Sequence, residues 1–136
     1  GDRVLSQMGA AVLRNIRPPD FACRFGGDEF AIIMPASQLI DGMGVAKRIQ
    51  SSLANPESGQ YPEIGRRLSG SFGLAAYESF SKMSADDFFK QADLKMYEAK
   101  KAGKNNIFCD HPSITEKSAI NKTEREALSQ IVTNVS

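Results

Sequence analysis

Residues 24–30, which read Arg-Phe-Gly-Gly-Asp-Glu-Phe, hold the grouping of side chains best suited to chemistry in this sequence. Gly26 and Gly27 permit a tight chain reversal with positive φ, and Asp28 and Glu29 follow them directly. Apolar residues stand on both sides of this turn, which is typical of a β-hairpin anchored in a core. The sequence therefore predicts two carboxylates presented at the tip of a hairpin.

Carboxylates on such a turn suit a divalent cation that is shared with phosphates. Mg²⁺ takes oxygen ligands, commonly one or two protein carboxylates together with phosphates and water. The adjacent glycines let phosphates approach bare backbone, because no Cβ stands in the way. The alternative is an ordinary Gly-Gly turn with solvated acids, since turns favour these residue types for conformational reasons alone. The turn by itself leaves both interpretations open.

The segments around the hairpin indicate helices that alternate with strands. Apolar residues at helical spacing predict most of the helices, and apolar residues that alternate with polar ones predict a strand. Ser84, with Asp87 three residues later, marks the N-terminus of one helix. The expected elements besides the hairpin are helices at 1–16, 38–53 and 84–101, strands at 68–77 and 106–109, and a loop at 55–65. This alternation predicts an α/β fold, an α+β sandwich with a mixed sheet flanked by helices.

The composition changes near residue 110 and sets the expected domain organisation. Residues 111–136 are mostly polar, and only a weak helix is expected at 123–135. The chain is therefore expected to comprise one domain at 1–110 and a polar C-terminal tail or linker at 111–136.

Charge and hydropathy exclude several classes of function. The net charge is +1 with 24% charged residues, which argues against nucleic acid as a partner. No apolar run approaches the roughly 20 residues of a membrane helix, and no signal peptide opens the sequence. Cys23 and Cys109 lie in apolar, strand-like settings, which predicts buried thiols. A cytoplasmic domain is expected, on the cytoplasmic side if the whole protein is anchored in a membrane.

Residues 24–30 resemble the signature of GGDEF domains, the diguanylate cyclases of bacterial signalling. Four more segments resemble motifs of this family in the family's order: Gly1-Asp2, Arg17-Pro18-Pro19-Asp20 (the R-x-x-D motif), Ser71-Phe72-Gly73, and Tyr97 to Asn105. Five ordered matches up to about Phe108 are more specific than any one of them. The fold that this resemblance implies is similar to nucleotidyl cyclase and polymerase palm domains.

The resemblance also implies a segment that is absent from this sequence. The family begins with a strand and a helix, followed by a second strand with a metal-binding Asp in a D-x-D-x-F-K-x-x-N-D segment. The sequence therefore corresponds to a domain truncated at its N-terminus, which we expect to be inactive by itself. Loss of those strands is expected to leave sheet edges unpaired and to favour aggregation or an altered assembly.

The resemblance assigns roles to the residues of the hairpin turn. Asp28 is a ligand of Mg²⁺ (or Mn²⁺), and Glu29 is either a further ligand or the acceptor of the attacking hydroxyl's proton. Gly26 and Gly27 lie under the substrate's phosphates. The alternatives are solvated acids and glycines that serve only the turn.

Three further residues are implied in substrate binding. Asp2 accepts hydrogen bonds from the guanine edge, and Lys100 and Lys104 hold the β- and γ-phosphates. Lys104 stands where the family usually has Arg, which keeps the charge and loses the bidentate geometry. The alternative for all three is a charge that complements a helix dipole.

A second constellation consists of Arg17, Asp20 and Arg48. In the family, the R-x-x-D pair binds the product, cyclic di-GMP, and inhibits the enzyme. Arg48 matches a further basic position that joins such a site. The alternative is a local Arg17–Asp20 ion pair, worth under ~1 kcal/mol at a surface.

The resemblance implies a cyclase that condenses two GTP into cyclic di-GMP and releases two pyrophosphates. Two GTP-loaded domains meet in a homodimer, and an upstream sensory domain is expected to control them. The alternative is a catalytically inactive regulatory module that binds GTP or cyclic di-GMP. The intact acids at positions 28 and 29 favour the cyclase.

Overall fold

The computed structural model describes residues 2–55 and 68–109, together with the backbone of residues 128–135. Its helices are α1 (Asp2–Asn15), α2 (Leu39–Ala54) and α3 (Ala85–Lys101). Its strands are β1 (Phe21–Gly26), β2 (Glu29–Met34), β3 (Gly70–Tyr77), β4 (Ile107–Cys109) and β5 (Leu128–Val135). These elements confirm the hairpin, the three helices and the two later strands that the sequence predicts.

The strands form one mixed sheet in the order β1-β2-β5-β3-β4. Strand β4 runs parallel to β3, whereas β1–β2, β2–β5 and β5–β3 are antiparallel pairs. The expected α+β architecture, a mixed sheet flanked by helices, is confirmed.

Each face of the sheet packs against helices and forms its own apolar cluster. Helices α1 and α2 cover one face, where Phe30 and Ile32 of β2 and Phe72 of β3 are buried with apolar side chains of both helices. Helix α3 covers the other face, where its Phe88, Ala92 and Met96 pack with Ala75 of β3. Alternate residues of each strand therefore face opposite layers, as the pleat requires.

Helix α3 lies directly on β3 because Gly73 has no side chain. A Cβ at position 73 would lie 2.0 Å from the carbonyl oxygen of Ala92 and 2.1 Å from the backbone nitrogen of Met96. Ser84 caps the N-terminus of α3, since its Oγ accepts a hydrogen bond of 3.1 Å from the N–H of Asp87. The predicted start of this helix is thus confirmed.

The structure corrects two expectations. The weak helix expected at 123–135 is wrong, because residues 128–135 form the central strand β5. Neither cysteine is the buried thiol that was expected: Cys23 is exposed, since β1 is an edge strand whose residues are mostly exposed, and Cys109 is half-buried. The predicted loop at 55–65 lies outside the described residues except for Asn55. Within the described parts of the chain, no helix has the length and hydropathy of a membrane-spanning segment.

Candidate active site

The hairpin turn is held by the side chain of Arg24. Its guanidinium donates two hydrogen bonds to the carbonyl oxygen of Gly27, with lengths of 2.8 Å from Nε and 2.5 Å from Nη2. The pairing register shifts between Arg24 and Gly26, so the strand is irregular just before the turn. Arg24 therefore fixes the turn from which Asp28 and Glu29 emerge.

The two glycines of this turn differ in what the backbone requires of them. Gly27 has a φ of +51°, a left-handed conformation that favours glycine. Gly26 has no positive φ, and a Cβ built on it would meet no atom within 4 Å. Neither its conformation nor its packing in the described structure demands glycine, and open space lies where a side chain would stand at position 26.

An aromatic contact attaches the hairpin to α3. The rings of Phe25 and Phe89 lie with their centroids 4.5 Å apart and their planes tilted by 35°. Such a pair adds roughly 0.5–1.5 kcal/mol to the energy of burial. The contact places the turn and its carboxylates beside this helix.

A cavity of about 490 Å³ opens between the start of β2 and α3. Its lining residues are Glu29 of β2 and Lys90, Asp93, Leu94, Met96, Tyr97 and Lys100 of α3. The structure thus brings together Glu29 and Lys100, two site residues that the sequence predicts. A carboxylate and an ammonium group in one open cavity suit a ligand that carries phosphates and a divalent cation.

Lys90, Asp93 and Tyr97 are lining residues that the sequence analysis did not single out. They recur every three or four positions before Lys100 on the same helix, so they share one face with it. This helical spacing relative to Lys100 was the sequence signal that could have identified them. The ammonium group of Lys101 lies 5.2 Å from the centroid of the Tyr97 ring, next to this face.

The donor set of the turn suits a cation that also binds phosphates. Asp28 is exposed and Glu29 is half-buried. Among the described residues, no group of three or more His, Cys, Asp or Glu side chains is placed to hold a metal ion. Two adjacent carboxylates beside open backbone fit Mg²⁺ or Mn²⁺ with ligand oxygens completing the shell, because Mg²⁺ is rarely bound by protein groups alone.

Two other predicted substrate residues lie outside the lining of this cavity. Lys104 is exposed, and its backbone N–H donates a hydrogen bond of 3.2 Å to the carbonyl oxygen of Lys100, so it follows Lys100 by one turn. Asp2 is exposed in the first turn of α1. Their assigned roles stay predictions.

The structure joins two residues of the second constellation directly and brings the third to the end of α1. The N–H of Asp20 donates to the carbonyl oxygen of Arg17 at 2.6 Å, and Asp20 Oδ2 accepts from the N–H of Arg17 at 3.3 Å. Nη2 of Arg48 donates to the carbonyl oxygen of Asn15 at 3.4 Å, which brings α2 to the end of α1.

The side chains of Arg17 and Asp20 form no ion pair with each other within the described structure. Asp20 is bonded to the backbone of Arg17 instead, and the guanidinium of Arg17 is exposed. The local ion pair that was the alternative interpretation is therefore not seen.

Comparison with known proteins finds a matching family model, related sequences and a related fold. A family model described as "Diguanylate cyclase, GGDEF domain" matches residues 1–106. The response regulator PleD of Caulobacter vibrioides is 31% identical over 108 residues, which are 79% of this chain and 24% of that protein. Diguanylate cyclase DgcP of Pseudomonas aeruginosa is 31% identical over 109 residues, 79% of this chain and 16% of that protein.

Diguanylate cyclase DgcM of Escherichia coli is 31% identical over 107 residues, 79% of this chain and 25% of that protein. The chain therefore spans no more than a quarter of these relatives. A crystal structure of an EAL/GGDEF domain protein from M. capsulatus has the same fold, with a TM-score of 0.54 and 24% identity over 82% of this chain and 71% of that chain. The matched motifs, the family model and the shared fold show that this chain belongs to the diguanylate cyclase GGDEF domain family.

Proposed function

We propose that this chain is the GTP-binding and catalytic region of a diguanylate cyclase, which condenses two GTP into cyclic di-GMP and two pyrophosphates. The observation that carries the proposal is the shared cavity of Glu29 and Lys100 beside the turn at Gly26. Phosphoryl-type transfer depends mainly on positioning and on neutralising charge, and this cavity combines the groups that do both.

Each residue of the turn has a distinct role in this proposal. Asp28 and Glu29 would hold Mg²⁺ or Mn²⁺, which would supply positive charge to the substrate's phosphates. The open backbone of Gly26 lets phosphate oxygens approach the turn. Glu29 is also placed to accept the proton of the attacking 3′-hydroxyl, because it lines the cavity while Asp28 is exposed.

Basic residues would bind the rest of the triphosphate. Lys100 contacts the β- and γ-phosphates from the wall of the cavity. Lys104, one turn later, adds a second positive charge as the pyrophosphate leaves. Asp2 accepts hydrogen bonds from the guanine edge, a role supported only by its match to the family's Gly-Asp pair.

The reaction requires two copies of the domain. In each half, the 3′-oxygen of one GTP bonds to the α-phosphorus of the other, the bond from that phosphorus to pyrophosphate breaks, and the hydroxyl proton passes to a base. Each copy therefore supplies both a nucleophile and an electrophile, so we propose a homodimer. We further propose cytoplasmic GTP as the substrate and an upstream sensory domain as the control.

The cluster of Arg17, Asp20 and Arg48 is proposed as the site of product inhibition. Exposed guanidinium groups form strong, often bidentate hydrogen bonds with phosphate oxygens and guanine acceptors. The hydrogen bond from Arg48 to Asn15 supports the proposal, because it brings α2 within two residues of Arg17. Cyclic di-GMP would be the ligand.

The second candidate is a catalytically inactive module that binds GTP or cyclic di-GMP. The intact acids at positions 28 and 29 favour the cyclase over this module. Because the chain spans no more than a quarter of the relatives described above, the cyclase activity is proposed for the longer protein.

Incubation of that longer protein with GTP and Mg²⁺, followed by chromatography, tests the proposal. We expect cyclic di-GMP and pyrophosphate as the products. Glu29→Gln should abolish turnover while GTP affinity changes by less than about tenfold. Glu98→Gln is the matched control, because Glu98 is paired with Lys95 and does not line the cavity. GTP binding without any cyclic dinucleotide would favour the inactive module.

A further inference from the structure

Strand β1 forms one edge of the sheet, with one side of its backbone open to another strand. It stands first in the strand order, and within the described parts of the chain it pairs with β2 alone. The N–H and C=O groups that point away from β2 can therefore bond to a further strand. Proteins commonly protect such edges with charged side chains or prolines.

The side chains of β1 protect this edge poorly. Its only charged residue is Arg24, whose guanidinium already donates to the carbonyl oxygen of Gly27. Phe21, Cys23 and Phe25 are all exposed, and the two phenylalanines expose 54% and 59% of their surface. An uncharged and largely apolar row of side chains thus lies along the open edge.

These three exposed residues share one face of the sheet. Ala22 packs in the cluster beneath α1 and α2, so its neighbours Phe21 and Cys23 point to the opposite face. Phe25 points to that same face, because its ring contacts Phe89 of α3. The face that α3 covers on β3 is therefore open to solvent at β1.

The order of these side chains suits a second copy of the same strand. Residues directly opposite each other in an antiparallel pair lie on one face, so a two-fold pair must be centred on a residue. Centred on Cys23, positions 21–25 of the two copies overlap completely, and Phe21 of each copy stands opposite Phe25 of the other. Arg24 stands opposite Ala22, so no like charges meet directly. Such a self-complementary contact closes a dimer.

The exposed area predicts the strength of this contact. A phenylalanine side chain buries about 150–250 Å², and roughly half of it remains exposed at Phe21 and at Phe25. The four rings of a pair would thus bury roughly 400 Å². A stable interface buries about 1,200–2,000 Å², so this contact is weak by itself and depends on protein concentration.

We propose that the open edge of β1 is a self-association surface, on which a second copy of this chain pairs its own β1 in antiparallel orientation. This dimer differs from the homodimer that the proposed function requires. The two turns at Gly27 point in opposite directions and lie about 26 Å apart along the paired strands. Reacting atoms must approach to about 3–3.5 Å, so the edge-paired dimer holds the two candidate active sites apart.

Sedimentation velocity of the whole chain without nucleotide, over a series of rising concentrations, tests the proposal. We expect a monomer–dimer equilibrium whose dissociation constant rises at least tenfold in Phe21→Lys, because this substitution puts a charge on the edge. Phe80→Lys is the matched control, since Phe80 is 73% exposed and lies outside the strands, and it should change that constant less than twofold. Equal effects of the two substitutions, or a chain that stays monomeric throughout, would overturn the proposal.

Cross-linking through the native cysteines locates the contact and needs no change at Phe21, so it decides if Phe21→Lys fails to fold. The proposed pair has Cys23 on its axis, whereas Cys109 lies on β4 at the other edge of the sheet. A short bismaleimide should link two copies of Cys109→Ser, which retains Cys23, and should leave Cys23→Ser monomeric. Equal yields from the two variants, or no covalent dimer from Cys109→Ser, would overturn the proposal. Neither measurement uses GTP, so failure here leaves the proposed function standing.

Discussion

At the scale of single residues, Gly26 and Gly27 occupy one turn but differ in their conformational requirements. Gly27 is explained by its positive φ, whereas Gly26 faces open space without conformational need for glycine. Arg24 secures the turn through two hydrogen bonds to one carbonyl oxygen. The proposed function therefore assigns Gly27 to the stability of the turn and Gly26 to the binding of phosphates.

Alanine at each glycine should therefore give opposite results. We expect Gly26→Ala to change the free energy of unfolding by less than about 0.5 kcal/mol, as is usual for open surface positions. The same change should weaken Mg²⁺-dependent GTP binding about tenfold, because its Cβ occupies the phosphate's approach. Gly27→Ala should cost about 1 kcal/mol or more in stability, because the left-handed conformation disfavours a side chain.

Urea unfolding and GTP titration measure the two effects separately. Unchanged GTP affinity in Gly26→Ala would contradict the role of bare backbone at this position.

At the scale of elements, the close packing of α3 on β3 determines where the candidate site lies. Gly73 allows the helix backbone to approach the strand, and Phe25 with Phe89 then fixes the hairpin against the same helix. The cavity opens where these two contacts leave room, between Glu29 and Lys100.

Gly73→Ala should strongly destabilise the fold, by about 3 kcal/mol or more, because the added methyl group meets backbone atoms that cannot move aside separately. Gly44→Ala is a useful control, since its Cβ would lie 3.5 Å from the flexible end of Arg48 and α2 gains helix propensity. We expect that control to be neutral or stabilising by up to about 1 kcal/mol. Equal unfolding midpoints in urea for both variants would contradict close packing of α3 against the backbone of Gly73.

The elements also show what local sequence can and cannot predict. The hairpin, the three helices and β3 carry their signals in their own periodicity, and Ser84 marks a helix start by its cap. Strand β5 was predicted wrongly although four of its residues, Ile131, Val132, Thr133 and Val135, are β-branched. Its short local signal is ambiguous, and its partners β2 and β3, which supply its hydrogen bonds, are distant in sequence. Likewise, Lys90 and Asp93 join the site only once α3 is placed against β2.

At the scale of the whole molecule, the two predicted sites are built by different pairs of elements. The candidate active site lies between the β1–β2 hairpin and α3, whereas Arg17, Asp20 and Arg48 lie where α1 ends beside α2. The two predicted sites therefore share no residue. Substitution of Arg17 should therefore leave catalysis intact.

Arg17→Ala in the full-length protein should raise the concentration of cyclic di-GMP needed for half-inhibition at least tenfold, because one charge-assisted hydrogen bond contributes about 1.5–3 kcal/mol. The uninhibited turnover rate should stay within twofold of the original. Arg14→Ala is the control, since Arg14 is an exposed cation in the last turn of the same helix. Inhibition that is equally strong in Arg17→Ala would remove the product site from this account.

The most direct test of the central claim is calorimetric titration of GTP into this chain with and without Mg²⁺, using Lys100→Met and Lys101→Met as neighbouring variants. Lys100 lines the cavity with Glu29, while Lys101 lies against the Tyr97 ring outside that lining. We predict that GTP affinity falls at least tenfold in Lys100→Met and less than threefold in Lys101→Met, and that Glu29→Gln removes the enhancement by Mg²⁺. Equal affinities in the two lysine variants, with the Mg²⁺ enhancement intact in Glu29→Gln, would contradict the claim that this cavity binds the nucleotide.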